Sequence, residues 1–231
     1  MKTIGMLGGM SWQSTMPYYD IANRMVAERL GGLHSARILL FSVDFAEVAT
    51  LMHAGRWEEV GERLASAAGT LEKAGAELLV LCTNTLHRVA PHIEARVRIP
   101  FLHIVDAAAR EIHRVGARRV GLLATRFTME EAFYRERLAQ HGIDSVIPGE
   151  EDRAIVHRII FEELVLGRVE EAARREMRRI AATLVAQEAD GVLLGCTELA
   201  MLLKPDEVPF RLFDTTVLHA REAARFAMRD G

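Results

Sequence analysis

The chain alternates between short apolar runs and longer stretches in which apolar residues recur every three or four positions. Short runs rich in Val, Leu and Ile are typical of strands buried on both faces, whereas the periodic stretches are typical of amphipathic helices. Strands are predicted near residues 3–7, 37–43, 78–82, 101–103, 119–124, 191–195 and 211–213, with helices between them. This alternation predicts an α/β fold in which helices cover parallel sheets.

Two of the intervening helices give the clearest pattern. Residues 57–73 carry an apolar stripe at helical spacing, and Gly75 follows as a typical C-terminal stop. Residues 169–188 show the same periodicity ahead of the apolar run at 191–195. Both stretches are therefore predicted to be crossover helices.

An internal repeat relates the two halves of the chain. Residues 76–84 resemble residues 189–197, and this alignment places Thr83 opposite Cys196, 113 residues further on. Residues 3–7 resemble residues 119–123 at the similar offset of 116. Buried parallel strands look alike in many proteins, but the polar residues that end the first pair of segments favour a repeat of two α/β halves.

The repeat predicts two lobes. The last helix, from about residue 216 to 229, follows a strand and has no further strand to cover, which favours its return to the first lobe. We therefore assign residues 1–100 and 210–231 to the first lobe and residues 101–209 to the second. No Pro-, Gly- or Ser-rich linker separates them.

Composition narrows the possible functions. Half of the 231 residues are hydrophobic and 26% are charged, as in folded globular proteins, and the net charge is −3. The arginines of residues 174–179 are interspersed with glutamates, which argues against nucleic-acid binding. No apolar run is long enough to cross a bilayer, so no membrane association is expected. Two cysteines and no recognisable export signal favour a reduced, cytoplasmic setting without a disulfide.

Polar residues follow the predicted strands at the ends where open α/β sheets bind ligands. Cys196 comes directly after one strand and opens a short helix, whose positive end would lower the pKa of the thiol from about 8.5. A free cysteine is more often a buried core residue, and only this position favours a catalytic base. Thr83 ends the equivalent strand, where a threonine more often caps the next helix.

Other motifs give weaker signals. Gly5, Gly8 and Gly9 follow the first strand, but their spacing fits neither the dinucleotide nor the Walker A pattern, so they are expected to admit a small anion. The nine histidines are dispersed and lack metal-ligand spacing, so no metal site is expected. His87, four residues past Thr83, is interpreted as structural.

Three segments resemble the aspartate/glutamate racemase family. They are residues 8–11 (Gly-Gly-Met-Ser), 81–87 (Leu-Cys-Thr-Asn-Thr-Leu-His) and 194–199 (Leu-Gly-Cys-Thr-Glu-Leu), and the likeness runs from residue 4 to about residue 220. Residues 10–15, 30–36 and 161–164 look like its branch of bacterial L-aspartate/glutamate-specific and broad-specificity amino-acid racemases.

The resemblance implies two pseudosymmetric lobes, each a four-stranded parallel sheet flanked by helices, with the active site in the cleft between them. It implies racemisation of aspartate, glutamate or another amino acid without pyridoxal phosphate or any other cofactor, in a homodimer. Two groups would then transfer protons at opposite faces of the α-carbon, and each must be able to act as acid or base.

Thr83 departs from the family pattern, because most members carry cysteine at both strand ends. A hydroxyl is a much poorer base than a thiol. The resemblance therefore implies a lopsided enzyme, in which Cys196 carries one half-reaction while Thr83 donates a proton or only positions the substrate. The adjacent Cys82 is expected in the core, since neighbouring residues of a strand point to opposite faces.

The resemblance also assigns the groups that hold the substrate. They are Met10, Ser11, Glu47, Asn84, Thr85, Thr125, Thr128 and Thr197. Two alternatives remain open. One is a catalytically inactive amino-acid-binding protein, in which Thr83 reflects lost activity. The other is a related cysteine-dependent isomerase or decarboxylase of the same superfamily, against which Glu198 argues.

Overall fold

The computed structural model describes residues 1–229. The strands are Ile4–Gly8 (β1), Ile38–Ser42 (β2), Leu78–Leu81 (β3), Phe101–Leu102 (β4), Arg119–Ala124 (β5), Asp144–Val146 (β6), Val192–Gly195 (β7) and Leu212–Asp214 (β8). The α-helices are Trp12–Leu30 (α1), Phe45–His53 (α2), Trp57–Lys73 (α3), Ala90–Arg96 (α4), Ile104–Arg114 (α5), Arg126–Glu130 (α6), Ala132–Gln140 (α7), Glu150–Glu162 (α8), Glu171–Ala186 (α9) and Thr215–Ala227 (α10). Short 3-10 turns lie at Thr85–Val89, Leu164–Leu166, Thr197–Met201 and Pro205–Glu207. None of the helices described has both the length and the apolar character needed to span a membrane.

The strands form two four-stranded parallel sheets that share one strand order. The first sheet runs β2-β1-β3-β4 and the second runs β6-β5-β7-β8. Strands β1 and β3 are therefore neighbours at the centre of the first sheet, and β5 and β7 are neighbours at the centre of the second. The predicted α/β fold, with two four-stranded parallel sheets flanked by helices, is confirmed.

The lobe boundaries lie a few residues beyond those expected from the sequence. The chain divides into one unit made of residues 1–104 and the C-terminal part from Thr216, and a second unit made of residues 105–215. Strand β4 pairs with β3 in the first sheet, and β8 pairs with β7 in the second. The expected boundaries after residues 100 and 209 are therefore wrong, because each assigns a short edge strand to the other sheet.

Helix α10 belongs to the first unit, as the lack of a further strand predicted. Its alanines lie in the same core cluster as β1 and α1, and the members of this cluster on α10 are Ala220, Ala223, Ala224 and Ala227. The predicted end of α3 is also observed. Gly75 adopts φ +101°, a conformation that glycine accepts at no steric cost, just after the helix ends.

Candidate active site

Thr83 lies two residues beyond the end of β3, where the chain leaves the sheet. The backbone N–H of Cys82 still donates to Leu7 O at 2.9 Å, and the N–H of Thr83 donates to Leu81 O at 2.8 Å. Cys82 is completely buried in the core of the first unit, and burial raises the pKa of its thiol well above that of a free cysteine. The expectation that Cys82 is a core residue is confirmed, and its thiol has no access to solvent.

Hydrogen bonds from the His87 ring fix the backbone at Thr83. Its Nδ1 lies 2.7 Å from Thr83 O, and its Nε2 lies 3.2 Å from the N–H of Ile104. Because Nε2 accepts from that N–H, the proton sits on Nδ1 and is donated to Thr83. Burial, followed by the nearby His103 and His219, lowers the pKa of His87 well below its usual value. His87 is therefore a neutral structural residue, as its sequence position suggested.

The loop after β1 reaches the same edge of the first sheet. The N–H of Gly9 donates to Thr15 Oγ1 at 2.9 Å, and the Thr15 hydroxyl donates to Ser11 O at 3.0 Å. The Ser11 hydroxyl accepts from the N–H of Ser14 at 3.4 Å and caps α1. Met10 and Ser11 are buried in this loop. Since β1 and β3 are adjacent, this loop and the Thr83, Asn84 and Thr85 segment both leave the sheet at its carboxyl edge.

Glu47 lies in a different setting from the other candidates in the first unit. Its side chain is exposed on α2, and its carboxylate accepts a hydrogen bond from Arg63 on α3 at 2.6 Å. Together they line a groove of about 410 Å³ beside the end of β2. The Glu47 carboxylate is thus already paired with a cation in this structure.

Cys196 follows β7 directly and precedes the 3-10 turn at Thr197–Met201. Its Sγ donates a hydrogen bond to Glu198 Oε2 at 3.1 Å, and the Thr197 hydroxyl donates to the same oxygen at 2.7 Å. Cys196 is 8% exposed and Glu198 is 5% exposed. In the first sheet β3 holds the place that β7 holds in the second, so Thr83 and Cys196 follow equivalent strands.

The sequence-based expectation of a lowered pKa at Cys196 is wrong. Burial raises the pKa of this thiol well above its usual value, and the charge of Glu198 and its hydrogen bond raise it further. Backbone N–H groups of Thr197 and Glu198 lower the pKa by less. The turn that follows is a five-residue 3-10 segment, too short to supply the dipole of a full helix. Cys196 therefore rests as a thiol.

The loop after β5 lies at the same edge of the second sheet as Cys196, because β5 and β7 are adjacent. Thr125 caps α6, accepting from the N–H of Thr128 at 3.4 Å, and the two hydroxyl oxygens lie 3.3 Å apart. Thr128 is completely buried. Its hydroxyl therefore supports Thr125 and has no surface of its own for a ligand.

Two further groups that the structure ties to these strand ends have no role predicted from the sequence. One is Glu198, which shares a hydrogen bond with the candidate catalytic thiol; a carboxylate two residues past a cysteine was the available signal. The other is the set of buried rings beside His87, in which the ring of His103 lies 4.4 Å and the ring of His219 lies 5.9 Å from it. Within residues 1–229, no three His, Cys, Asp or Glu side chains are grouped to hold a metal ion.

Comparison with known proteins shows a likeness along nearly the whole chain. Among solved structures, a proposed Asp/Glu racemase from Yersinia pestis is 48% identical with a TM-score of 0.92, covering 99% of this chain and 100% of that one. An aspartate racemase homologue from Pyrococcus horikoshii OT3 is 34% identical with a TM-score of 0.84, covering 98% of this chain and 99% of the other.

A curated relative and a family profile agree with the structures. The broad specificity amino-acid racemase RacX of Bacillus subtilis (strain 168) is 23% identical over 227 residues, which is 94% of this chain and 95% of RacX. The profile described as Asp/Glu/Hydantoin racemase matches residues 7–223. The chain shares its two-sheet fold with these racemase structures, and it carries polar groups at the equivalent strand ends of its own two sheets. Together with the profile match, this shows that the chain belongs to the Asp/Glu/hydantoin racemase family.

Proposed function

We propose that this protein is an amino-acid racemase that interconverts the L- and D-forms of aspartate, glutamate or a related amino acid without a cofactor. The observation that carries the proposal is that Cys196 and Thr83 follow equivalent strands, β7 and β3. The Cys196 thiol also donates a hydrogen bond to a buried carboxylate. Racemase activity is also named for RacX, and an aspartate racemase homologue is among the similar structures.

The chemistry requires two groups that exchange roles. One group removes the α-proton, and the other returns a proton to the opposite face of the resulting planar carbanion. Cys196 acts as base towards one enantiomer, and Thr83 donates a proton or orients the donor. The equilibrium constant between enantiomers is one, so the inequality of the two groups appears only in the kinetic parameters of the two directions.

The substrate is held by loops at the two carboxyl sheet edges. In the first unit we assign this role to Met10, Ser11, Asn84 and Thr85, through backbone N–H groups and side chains. In the second unit we assign it to Thr125 and Thr197, with Thr128 bracing Thr125. The Glu47 carboxylate would bind the substrate amino group in place of its present ion pair with Arg63.

The test is α-proton exchange in deuterium oxide. Each L-amino acid of a panel that includes aspartate and glutamate is incubated with the protein, loss of the α-proton is followed by ¹H NMR, and the D-enantiomer is measured by chiral chromatography. We expect exchange and D-product with at least one acidic amino acid. Cys196→Ser should reduce both by about 100-fold or more, whereas Cys82→Ala removes the other thiol and should retain activity.

Two outcomes would contradict the proposal. Amino-acid binding by calorimetry without exchange, unchanged in Cys196→Ser, would indicate an inactive binding protein, as the hydroxyl at Thr83 could suggest. Conversion of an unsaturated diacid or a malonate in place of an amino acid would indicate a different cysteine-dependent reaction.

We also propose that two copies of the chain pair through α1. The outer side of this helix exposes Trp12, Met16 and Tyr19, whose fractional exposures are 63%, 53% and 50%. These residues recur at helical spacing and form one stripe, and an exposed apolar stripe of this kind is typical of an interface. The ion pair between Asp20 and Arg24 lies beside the stripe and presents both signs of charge, which suits a two-fold interface in which a surface meets itself.

A further inference from the structure

The carboxylate of Glu198 is placed to exchange a proton with the Cys196 thiol. Its Oε2 accepts from Sγ at 3.1 Å and from the Thr197 hydroxyl at 2.7 Å. A buried carboxylate is costly unless hydrogen bonds replace its water, and these two bonds supply that replacement. They also fix one oxygen of Glu198 on the line along which the thiol proton would leave.

The hydrogen bond between Cys196 and Glu198 matters because it decides how much negative charge the site must hold. Cys196 must lose its proton before it can act as a base, and a thiolate beside an ionised carboxylate would place two negative charges in a site shielded from water. Transfer of the proton from Sγ to Oε2 avoids this, because the pair carries a single negative charge before and after the step.

Apolar segments pack against the turn that carries Glu198. The 3-10 turn that carries Glu198 packs against β7 (Val192–Gly195) and against the turn at Leu164–Leu166, and both segments consist of apolar residues and glycine. The charge that acts on the thiol is that of Glu198. The first unit has no counterpart, because the internal repeat places Thr85 where the second unit has Glu198.

We propose that Cys196 and Glu198 form a proton-sharing pair, in which Glu198 Oε2 takes and holds the thiol proton so that the sulfur can act as a base. In this step the S–H bond breaks, its electron pair stays on sulfur, and an O–H bond forms on Glu198. The thiolate then removes the substrate α-proton and becomes a thiol again, as the proposed racemase function requires. Glu198 keeps the first proton until the product has left and then loses it to water, while the donor at Thr83 regains a proton from water, so both groups return to their starting state. Glu198 acts through Cys196 and is a positioning and proton-holding residue.

The proposal predicts an unusual pH profile in the absence of substrate. While the pair holds one proton, the fraction present as thiolate and carboxylic acid does not depend on pH. The rate at which iodoacetamide alkylates Cys196, followed by mass spectrometry of the Cys196 peptide, should therefore be nearly flat between about pH 6 and 8. In Glu198→Gln the proton must leave to water, so the rate should rise about tenfold per pH unit.

Matched variants separate this role from a structural one. Glu151→Gln removes an exposed carboxylate of the same unit and should leave the flat profile unchanged. Glu198→Asp keeps an acceptor at a longer distance and should keep the flat profile at a lower rate. This second variant keeps the test decisive if circular dichroism shows that Glu198→Gln does not fold.

Two results would contradict the proposed proton sharing between Cys196 and Glu198. One is a wild-type alkylation rate that already rises about tenfold per pH unit. The other is a Glu198→Gln profile parallel to that of the wild type and faster at every pH, as expected if Glu198 only raises the thiol pKa. Because these measurements need no substrate, a flat profile together with absence of α-proton exchange would refute the racemase function and leave the pair intact.

Discussion

Thr83 gives the clearest test of unequal roles at the scale of a single residue. Thr83→Val keeps the shape of the side chain and removes the hydroxyl. We expect one enantiomer to keep exchanging its α-proton through Cys196, within about tenfold of wild type, while conversion to the other enantiomer falls by about 100-fold. Exchange is measured by ¹H NMR in deuterium oxide and conversion by chiral chromatography.

The control for this variant is Thr183→Val, which removes an exposed helix hydroxyl that donates to Arg179 O. It should change neither rate. Equal loss of exchange and conversion in Thr83→Val would show that the hydroxyl serves both half-reactions, and the proposed division of labour would be wrong.

His87 predicts how stability depends on pH. Its pKa is lowered in the folded state by burial and by His103 and His219, so the unfolded chain binds a proton below about pH 6.5 that the folded chain does not. The free energy of unfolding should therefore fall as the pH drops below 6.5, and His87 should contribute up to about 1.4 kcal/mol per pH unit.

The variant that tests this is His87→Asn, whose amide can still donate to Thr83 O. The measurement is urea unfolding between pH 7 and 5, followed by fluorescence, and both tryptophans of the chain, Trp12 and Trp57, lie in the first unit. We expect a shallower loss of stability towards low pH in His87→Asn. The exposed His34→Asn should follow the wild type, and identical slopes in all three proteins would refute the assignment.

At the scale of elements, the loop between β1 and α1 depends on one glycine. Gly9 adopts φ +94°, and a Cβ at this position would collide with the backbone of Val43. Gly75 has a similar φ of +101° but faces open space. Gly75→Ala should therefore cost only about 1 kcal/mol of stability, through backbone strain alone.

Gly9→Ala should cost more, because the collision forces the loop that carries Met10 and Ser11 away from Val43. We expect a larger drop in the urea midpoint than in Gly75→Ala, together with a raised KM in the exchange assay. An unchanged KM would show that this loop does not hold the substrate.

The elements that the sequence predicted well are those whose signal is local. Strands β3 and β7 are continuous apolar runs, and the polar residues that follow them mark the strand ends. Strand β6 was missed because Asp144–Val146 is a three-residue edge strand that is only partly buried and has no apolar run. Strand β4 was assigned to the wrong lobe because two residues, Phe101–Leu102, do not reveal which neighbour they pair with.

The electrostatics of the candidate site could not be predicted in the same way. The position of Cys196 at the end of β7 followed from the pattern, but its pKa depends on burial and on where the Glu198 side chain turns. Both are consequences of tertiary packing. Together they raise the pKa of the thiol by more than the backbone N–H groups of the short turn lower it, so the neutral thiol is favoured. A local rule for helix ends therefore gave the wrong sign.

At the scale of the whole molecule, the two units repeat one strand order with different chemistry at the equivalent ends. The first unit presents Thr83 and Thr85, whereas the second presents Cys196 and Glu198. The repeat preserves the backbone scaffold, because buried parallel strands tolerate exchange among apolar residues. The residues that follow β3 and β7 lie outside the strands and take no part in the sheet pairing, so a duplicated fold can accommodate two unequal proton-transfer groups there.

The proposed pairing of two copies through α1 gives the last prediction. In a two-fold interface each substituted residue occurs twice, so Met16→Glu would bring two new carboxylates into an apolar contact without partners. We expect the wild type to elute at twice the chain mass in size-exclusion chromatography with light scattering, and Met16→Glu to elute at the chain mass. Leu166→Glu alters a residue of the second unit that is 59% exposed and should leave the dimer intact. A monomeric wild type, or a dimer that survives Met16→Glu and Trp12→Glu, would show that the stripe on α1 does not join two copies.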